Sequence, residues 1–224
     1  MKFTYAVPDI HGRYDLLVRA LELIEEHAGG DKAPVVFLGD YIDRGPQSRE
    51  VVELLMKGPP EWICLKGNHE AMMVDAFLPG HDRDLWVSNG GKATLQSFSR
   101  QGRTSVQDTH LSWLHSLALF HEDERRVYVH AGIADPDAPL EEQEQSLLWY
   151  RYSQNPDRGY RGKHVVHGHT PREGGPVLLK NRTNLDCGAY FSDRLVVGVF
   201  DDGVPGGPLE ILVAALSPAV DPLD

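Results

Sequence analysis

An α/β fold, a two-sheet β-sandwich flanked by helices, is what this sequence of 224 residues predicts. Three observations lead to it. Between Lys2 and Phe77, short apolar runs alternate with helical patterns in the order βαβαβα, which calls for a largely parallel first sheet. From Arg126 onward, short apolar runs follow one another with Gly, Asp or Pro turns between them, and that spacing predicts an antiparallel second sheet. Five of the apolar runs end in a polar motif, at the strand ends where open α/β sheets bind ligands.

Lys2–Val7 is the first expected strand, stopped by Pro8 ahead of Asp9-Ile10-His11-Gly12. Over Tyr14–Ala28, Leu17, Leu21 and Ile24 recur at helical spacing with Glu22, Glu25 and Glu26 off the stripe, and Gly29-Gly30 closes the helix. Ala33–Leu38 is the second strand and delivers Gly39-Asp40-Tyr41-Ile42-Asp43-Arg44-Gly45. Gln47–Lys57 reads as a helix on Val51, Leu54 and Leu55, ended by Gly58-Pro59-Pro60. Trp62–Lys66 is the third strand, followed by Gly67-Asn68-His69-Glu70 and a short helix over Ala71–Phe77. Leu78–Asn89 reads as a loop and Lys92–Arg100 as a helix; a long loop inside a compact domain is often functional. Asp108–Leu117 is a further helix with Asp108 as its N-cap. The β segments expected after it are Arg126–Val129, Ser146–Tyr152, Lys163–Val166, Val177–Leu179, Asn184–Asp186, Leu195–Phe200 and Leu209–Val213.

Composition narrows the class. Hydrophobic residues make up 41% and charged residues 25%, as in a water-soluble globular domain, expected over residues 1–216 with 217–224 as a frayed tail. No apolar stretch approaches the roughly 20 residues of a spanning helix, and the apolar part of Met1–Pro8 is too short for a secretory signal. Cys64 and Cys187 form no zinc-type pair and are expected to stay reduced in a cytoplasm. The net charge of −11 argues against a surface that coats nucleic acid. A phosphorylated substrate would instead need local positive charge from a metal or an arginine.

The polar motifs are Asp9/His11, Asp40/Asp43/Arg44, Asn68/His69, His130 and His167/His169, each beside a glycine that lets backbone turn close to a ligand. A lone histidine at a strand end is most often structural, but five such motifs at five strand ends are hard to obtain by chance. Carboxylates, imidazoles and an amide oxygen without thiolate suit Mn²⁺, Fe or Zn²⁺. The donors suffice for two divalent metal ions, with Asp40 as the bridge, and paired ions roughly 3.5–4 Å apart are the usual arrangement for hydrolysing phosphate esters.

Asp-x-His-Gly, Gly-Asp-x-x-Asp-Arg-Gly, Gly-Asn-His-Glu, His-Ala-Gly and Gly-His-Thr, in this order, resemble the phosphoprotein phosphatase family of calcineurin-like metallophosphoesterases. Short bacterial and phage-type serine/threonine phosphatases look closest in length and motif order, and the resemblance covers about residues 3 to 200. It implies an α/β/β/α fold and hydrolysis of phosphomonoesters, with phosphoserine or phosphothreonine on protein preferred. It implies that Asp9, His11 and Asp40 hold one ion, most often Mn²⁺, and that Asp40, Asn68, His130 and His169 hold the other. A water shared by the ions would attack phosphorus in line. By the same resemblance His69 is the general acid, Asp43 orients it, and Arg44, Arg151 and Asn68 bind the phosphate.

The sequence departs from that pattern in places. Pro8 replaces the usual Gly before the first Asp, and Lys66 stands where the phage-type enzymes carry an arginine, still able to help attract anions. His167 has no counterpart and reads as a supporting histidine, Cys187 as a small buried residue and Asp186 as a structural acceptor. Trp86, Asn89, Gly90 and Gly91 resemble a substrate-side loop, with core packing the equal alternative for Trp86. Two rival functions share the sequence: a dinucleoside tetraphosphate hydrolase with the same motifs, and a non-catalytic scaffold. The second is disfavoured because all six ligand positions and His69 are present.

Overall fold

A computed structural model describes residues 2–100, 103–104, 106–152 and 157–216. The chain opens with β1 (Phe3–Val7), α1 (Tyr14–Ala28), β2 (Val35–Phe37), α2 (Ser48–Leu55), β3 (Trp62–Cys64) and α3 (Asn68–Ala76), the alternation read from the sequence. α1 ends as its glycines require: Gly29 is left-handed at φ 63°, and its N–H reaches Glu25 O at 3.1 Å. The middle holds α4 (Asp84–Trp86), a segment Val87–Gly91 that kinks at Gly90 (φ 114°), α5 (Lys92–Ser97), the short strands β4 (Ser99–Arg100) and β5 (Arg103–Thr104), and α6 (Asp108–Ser116). Then come β6 (Phe120–Glu122), β7 (Arg126–Val129), α7 (Glu144–Trp149), β8 (His164–His167), β9 (Val177–Leu178), β10 (Arg182–Asn184), α8 (Ala189–Ser192), β11 (Arg194–Asp201) and β12 (Glu210–Ala215). The expected tail, 217–224, lies outside the described residues.

Two five-stranded sheets form, in the orders β12-β11-β1-β2-β3 and β6-β7-β8-β10-β9. In the first, β1, β2 and β3 are parallel, while β11 and β12 add antiparallel partners. In the second, β7, β8 and β10 are parallel and the edge strands β6 and β9 are antiparallel. The expectation of an antiparallel second sheet is therefore corrected. The segments after β7 and β8 carry enough chain, including α7, to cross over and return in the same direction. The last two strands also join the first sheet rather than the second.

Side-chain alternation explains the layering. Ala6, Val36, Leu38 and Phe200 of the first sheet face Tyr128, Val166 and Leu185 between the sheets. Tyr5, Val7, Val35 and Phe37 point the other way, against Leu16, Leu17, Val51, Val52 and Met73 of α1, α2 and α3. Val127, Val129 and Val165 cover the far side with Leu140 and Leu147. Strands buried on both faces read as continuous apolar runs. Each such aliphatic side chain contributes about 1.5–3 kcal/mol by leaving water.

Several local expectations change. The loop expected over Leu78–Asn89 is helical from Asp84 on, where Trp86 is anchored on Asp43, and the helix expected over Lys92–Arg100 ends at Ser97, with Ser99–Arg100 in β4. Ser146–Tyr152 is not a strand: Glu144–Trp149 is helical, its first turn closed by Ser146 N–H and Leu147 N–H on Gln143 O (both 2.9 Å), while the Gln143 side chain ties the preceding loop at Asp135 N–H (3.0 Å) and Asp135 O (2.8 Å). Asp108 is the first helical residue, and the preceding Gln107 holds the extended cap position, its N–H on His110 Nδ1 at 3.1 Å. α3 starts at Asn68, three residues before Ala71, because Glu70 folds back to accept the Gly67 N–H (2.8 Å).

Candidate metal centre

The C-terminal ends of β1, β2 and β3 point one way because these strands are parallel. The exits of β7 and β8 meet them: Gly168 N–H donates to His130 O (2.8 Å), and His169 N–H donates to Asp9 Oδ1 (2.9 Å). The backbone is strained where the sheets meet. His11, Asp40, Asp43, Arg44 and His169 all have positive φ, from 47° to 71°. That conformation costs a non-glycine residue roughly 1–2 kcal/mol, and here it turns five functional side chains inward. Gly67 passes so close that a Cβ would lie 2.2 Å from Asp40 Oδ1.

Two buried clusters share Asp40. One holds His11, Asp40 and His69, the other Asp40, His130 and His169, and within each the ligand atoms lie within 4.8 Å of one another. Asp40 Oδ1 is 3.4 Å from His130 Nε2, and Oδ2 is 3.6 Å from His11 Nε2 and 3.8 Å from His69 Nε2. His130 Nε2 also meets Asn68 Oδ1 (2.9 Å) and His169 Nδ1 (3.2 Å). Asp9 Oδ2 is 3.9 Å from His11 Nε2. From behind, His11 Nδ1 donates to Ile42 O (2.8 Å) and His130 Nδ1 to Leu38 O (2.9 Å), which leaves both Nε2 lone pairs facing the centre.

Electrostatics agree with this orientation. Burial holds His11 well below the ordinary imidazole value, and burial together with His130 pushes His169 down to about 3. Burial works against ionised Asp40, but His130, His69, His11 and His169 outweigh it and keep its carboxyl below the usual range. Burial and then Asp40 raise Asp9 well above it. At His130 Nε2 a lone pair confronts the oxygens of Asn68 and Asp40, a convergence that a cation relieves. Imidazole nitrogen, carboxylate and amide oxygen without thiolate fit divalent ions of borderline softness.

His69 has a second partner. Its Nδ1 donates to Asp43 Oδ2 at 2.6 Å, leaving Nε2 toward the clusters. Burial lowers the pKa of His69, but the carboxylates of Asp40 and Asp43 outweigh it and hold it above the ordinary value. Asp43 is fully buried and its carboxylate also accepts Trp86 Nε1–H (2.9 and 3.1 Å) and Thr94 Oγ1–H (2.6 Å). Arg44 lies over the first cluster, with Nη1 2.6 Å from His11 Nε2 and Nη2 3.0 Å from His69 Nε2. Arg151 flanks the second, its Nε donating to His169 Nε2 at 3.4 Å.

The ten site residues expected from sequence thus gather at the centre or on its rim. One grouping differs: His69 falls inside the first cluster, with Asp9 beside it. Lys66 does not face the centre; its Nζ donates to His115 O (2.8 Å), near the C-terminus of α6, where a cation is favourable. His167 supports from behind, accepting a hydrogen bond from Arg182 Nη1 (2.8 Å). Asp186 accepts Gly188 N–H (2.8 Å) and Cys187 is buried, as expected. Sequence reasoning gave no role to Glu70, and it left Trp86 undecided and Thr94 unmentioned. Glu70 accepts N–H bonds from Asp40 (2.7 Å), Tyr41 (2.8 Å) and Gly67 (2.8 Å). Its place three residues after Gly67 was a capping signal.

A two-sheet fold with paired metal-type clusters at the joined strand ends defines a metallophosphoesterase. The chain belongs to the Calcineurin-like phosphoesterase family, which it matches over residues 4–200. It is 41% identical over 87 residues to "Serine/threonine-protein phosphatase 2" of Escherichia coli K12, a match that spans 39% of this chain and only 38% of that protein. It is 28% identical over 207 residues to "Serine/threonine-protein phosphatase 1" of Salmonella typhimurium, covering 88% and 91% of the two chains. Identity is 32% over 163 residues to "Bis(5'-nucleosyl)-tetraphosphatase, symmetrical" of Methylobacillus flagellatus, covering 71% and 51%. A solved serine/threonine phosphatase from Saccharomyces cerevisiae shares the fold at 16% identity with a TM-score of 0.67, covering 98% of this chain and 82% of that one. Among the described residues no helix is long and apolar enough to cross a membrane.

Proposed function

We propose that the chain hydrolyses phosphomonoesters, with phosphoserine and phosphothreonine on proteins as the preferred substrates. The observation that carries the reading is the His69–Asp43 pair at 2.6 Å, aimed at two clusters that share Asp40. Asp9, His11 and Asp40 would hold one ion and Asp40, Asn68, His130 and His169 the other, with Mn²⁺ the first choice and Fe or Zn²⁺ the alternatives. When bound, two such ions activate water for attack on phosphorus and stabilise the phosphoryl charge. The chain itself does the rest. Arg44, Arg151 and Asn68 hold phosphoryl oxygens, the arginines through planar donor forks. Asp43 keeps the Nδ1 proton of His69, so Nε2 is the atom that gives a proton to the departing oxygen. A serine or threonine alkoxide is a poor leaving group, and a positioned acid matters most for it. Cys64 and Cys187 are free thiols, which suits a cytoplasmic location.

The relatives named as serine/threonine phosphatases support the protein substrate, and the one named as a nucleosyl-tetraphosphatase supports the second reading. Side-by-side turnover with Mn²⁺ tests the choice. Phosphate release from a phosphoserine peptide is expected; cleavage of diadenosine tetraphosphate alone transfers the assignment to the second reading. Silence on both substrates and on an aryl phosphate, with or without metal, revives the scaffold.

The role of His69 has its own test. His69→Asn is expected to keep its metal content and lose on the order of 10²-fold or more in kcat on the phosphopeptide. 4-Nitrophenyl phosphate, whose leaving group needs little protonation, should lose much less. Undiminished turnover of the peptide would take His69 out of the mechanism.

A further inference from the structure

The segment from Trp86 to Thr94 grips the Asp43–Arg44 turn at several points. Trp86 is 1% exposed, and its indole N–H straddles the Asp43 carboxylate at 2.9 Å from Oδ2 and 3.1 Å from Oδ1. Thr94 uses both halves of its hydroxyl: it donates to Asp43 Oδ1 (2.6 Å) and accepts the Asp43 N–H (2.8 Å). Gly90 O accepts the Arg44 N–H (3.3 Å). The two glycines make the approach possible. Gly90 sits at φ 114° with a Cβ position only 2.9 Å from Arg44 N, and a Cβ on Gly91 would fall 2.6 Å from the Trp86 ring. Asp43 and Arg44 themselves stand at φ 71° and 68°, a strained pair that needs such support.

With Trp86 and Thr94 in place, the Asp43 carboxylate cannot rotate, and only one of its contacts, Oδ2 to His69 Nδ1 at 2.6 Å, leads toward the clusters. We infer that Trp86 and Thr94 are positioning residues for proton transfer: they lock Asp43, which in turn aims His69 Nε2 at the leaving oxygen. The inference rests on His69 acting as general acid. In that step a water oxygen bonds to phosphorus, the bond from phosphorus to the leaving oxygen breaks with its electron pair on that oxygen, the Nε2 proton moves to it, and the Nδ1 proton stays on the imidazole, hydrogen-bonded to Asp43. A carboxylate free to turn would let the imidazole swing and lengthen the transfer, at a cost that grows with the basicity of the leaving group.

Trp86→Phe removes the N–H while filling the space, and Thr94→Val removes the hydroxyl at constant shape. Each is assayed as the full chain with Mn²⁺ on a phosphoserine peptide and on 4-nitrophenyl phosphate, with metal content measured in parallel. The expected result is a fall in kcat on the peptide on the order of tenfold, a change within about twofold on the aryl ester, and unaltered metal content. Adding Trp86→Phe to His69→Asn should lower peptide turnover no further, because both changes remove the same step. Equal losses on the two substrates, or additive losses in the double variant, overturn the inference. If Trp86→Phe does not fold, Thr94→Val alone decides by the same asymmetry. If His69→Asn itself shows no asymmetry, the general-acid reading falls; if it does and both positioning variants do not, only the inference falls.

Discussion

Asp40→Asn leaves a folded protein that binds divalent metal weakly and releases almost no phosphate. The fold survives because asparagine keeps an oxygen to accept the His69 N–H, now at 3.0 Å from Oδ1. The chemistry does not survive. The amide nitrogen takes the place of Oδ2, where it presents an N–H donor to His11 Nε2, an atom 3.6 Å away that offers its lone pair. Asp40 belongs to both clusters, so one substitution removes negative charge from each. Loss of a mere supporting partner of a metal ligand costs about 10–100-fold in affinity, so loss of a shared ligand should cost at least about 100-fold. Metal content by plasma mass spectrometry, alongside peptide turnover and the melting curve, checks this. Two ions retained per chain would remove Asp40 as the bridge.

The legible part of this molecule was the part written locally. β1, β2, β3 and β7 are apolar runs each followed by its own motif, so the sequence alone puts Asp9, His11, Asp40, Asn68, His69 and His130 at strand ends. Periodicity says nothing of direction, however, so closely spaced apolar runs suggest an antiparallel set where β7, β8 and β10 are parallel. Leu147 and Leu148 suit a buried strand as well as a helix face, so apolar pattern alone does not reveal α7; the turn closes through Ser146 N–H and Leu147 N–H on Gln143 O, both at 2.9 Å. Trp86 and Thr94 were out of reach for a different reason. They meet Asp43 across 43 and 51 residues of chain, through side chains whose sequence neighbours suggest only a loop and a helix start.

Glu70→Ala is expected to be the most destabilising single change at the centre. The Glu70 carboxylate is fully buried and accepts three backbone N–H groups: Asp40 and Gly67 on Oε2, Tyr41 on Oε1. Burial and the nearby Asp40 push its pKa up to about 7, while the N–H donors of Tyr41 and Asp40 pull it down. Those bonds tie the start of α3 to the exit of β2, so they hold Asn68 and His69 in register with Asp40. An unsatisfied buried donor costs about 1–3 kcal/mol, so three orphaned together cost about 3 kcal/mol or more. That is a large share of the 5–15 kcal/mol by which a domain is typically stable, and corresponds to a fall in Tm on the order of 6–12 °C for a chain this long. Glu70→Gln separates the hydrogen bonds from the bulk. With its oxygen at the Oε2 place it keeps the bonds to Asp40 and Gly67, but its amide then faces the Tyr41 N–H. The expected order of stability by thermal and urea unfolding is Glu, then Gln, then Ala, and metal affinity should fall in the same order because the Asp40 backbone loosens with each step. An alanine variant as stable as the parent would show that water replaces the carboxylate without loss, and would leave the register of α3 to the packing of Met72 and Met73 alone.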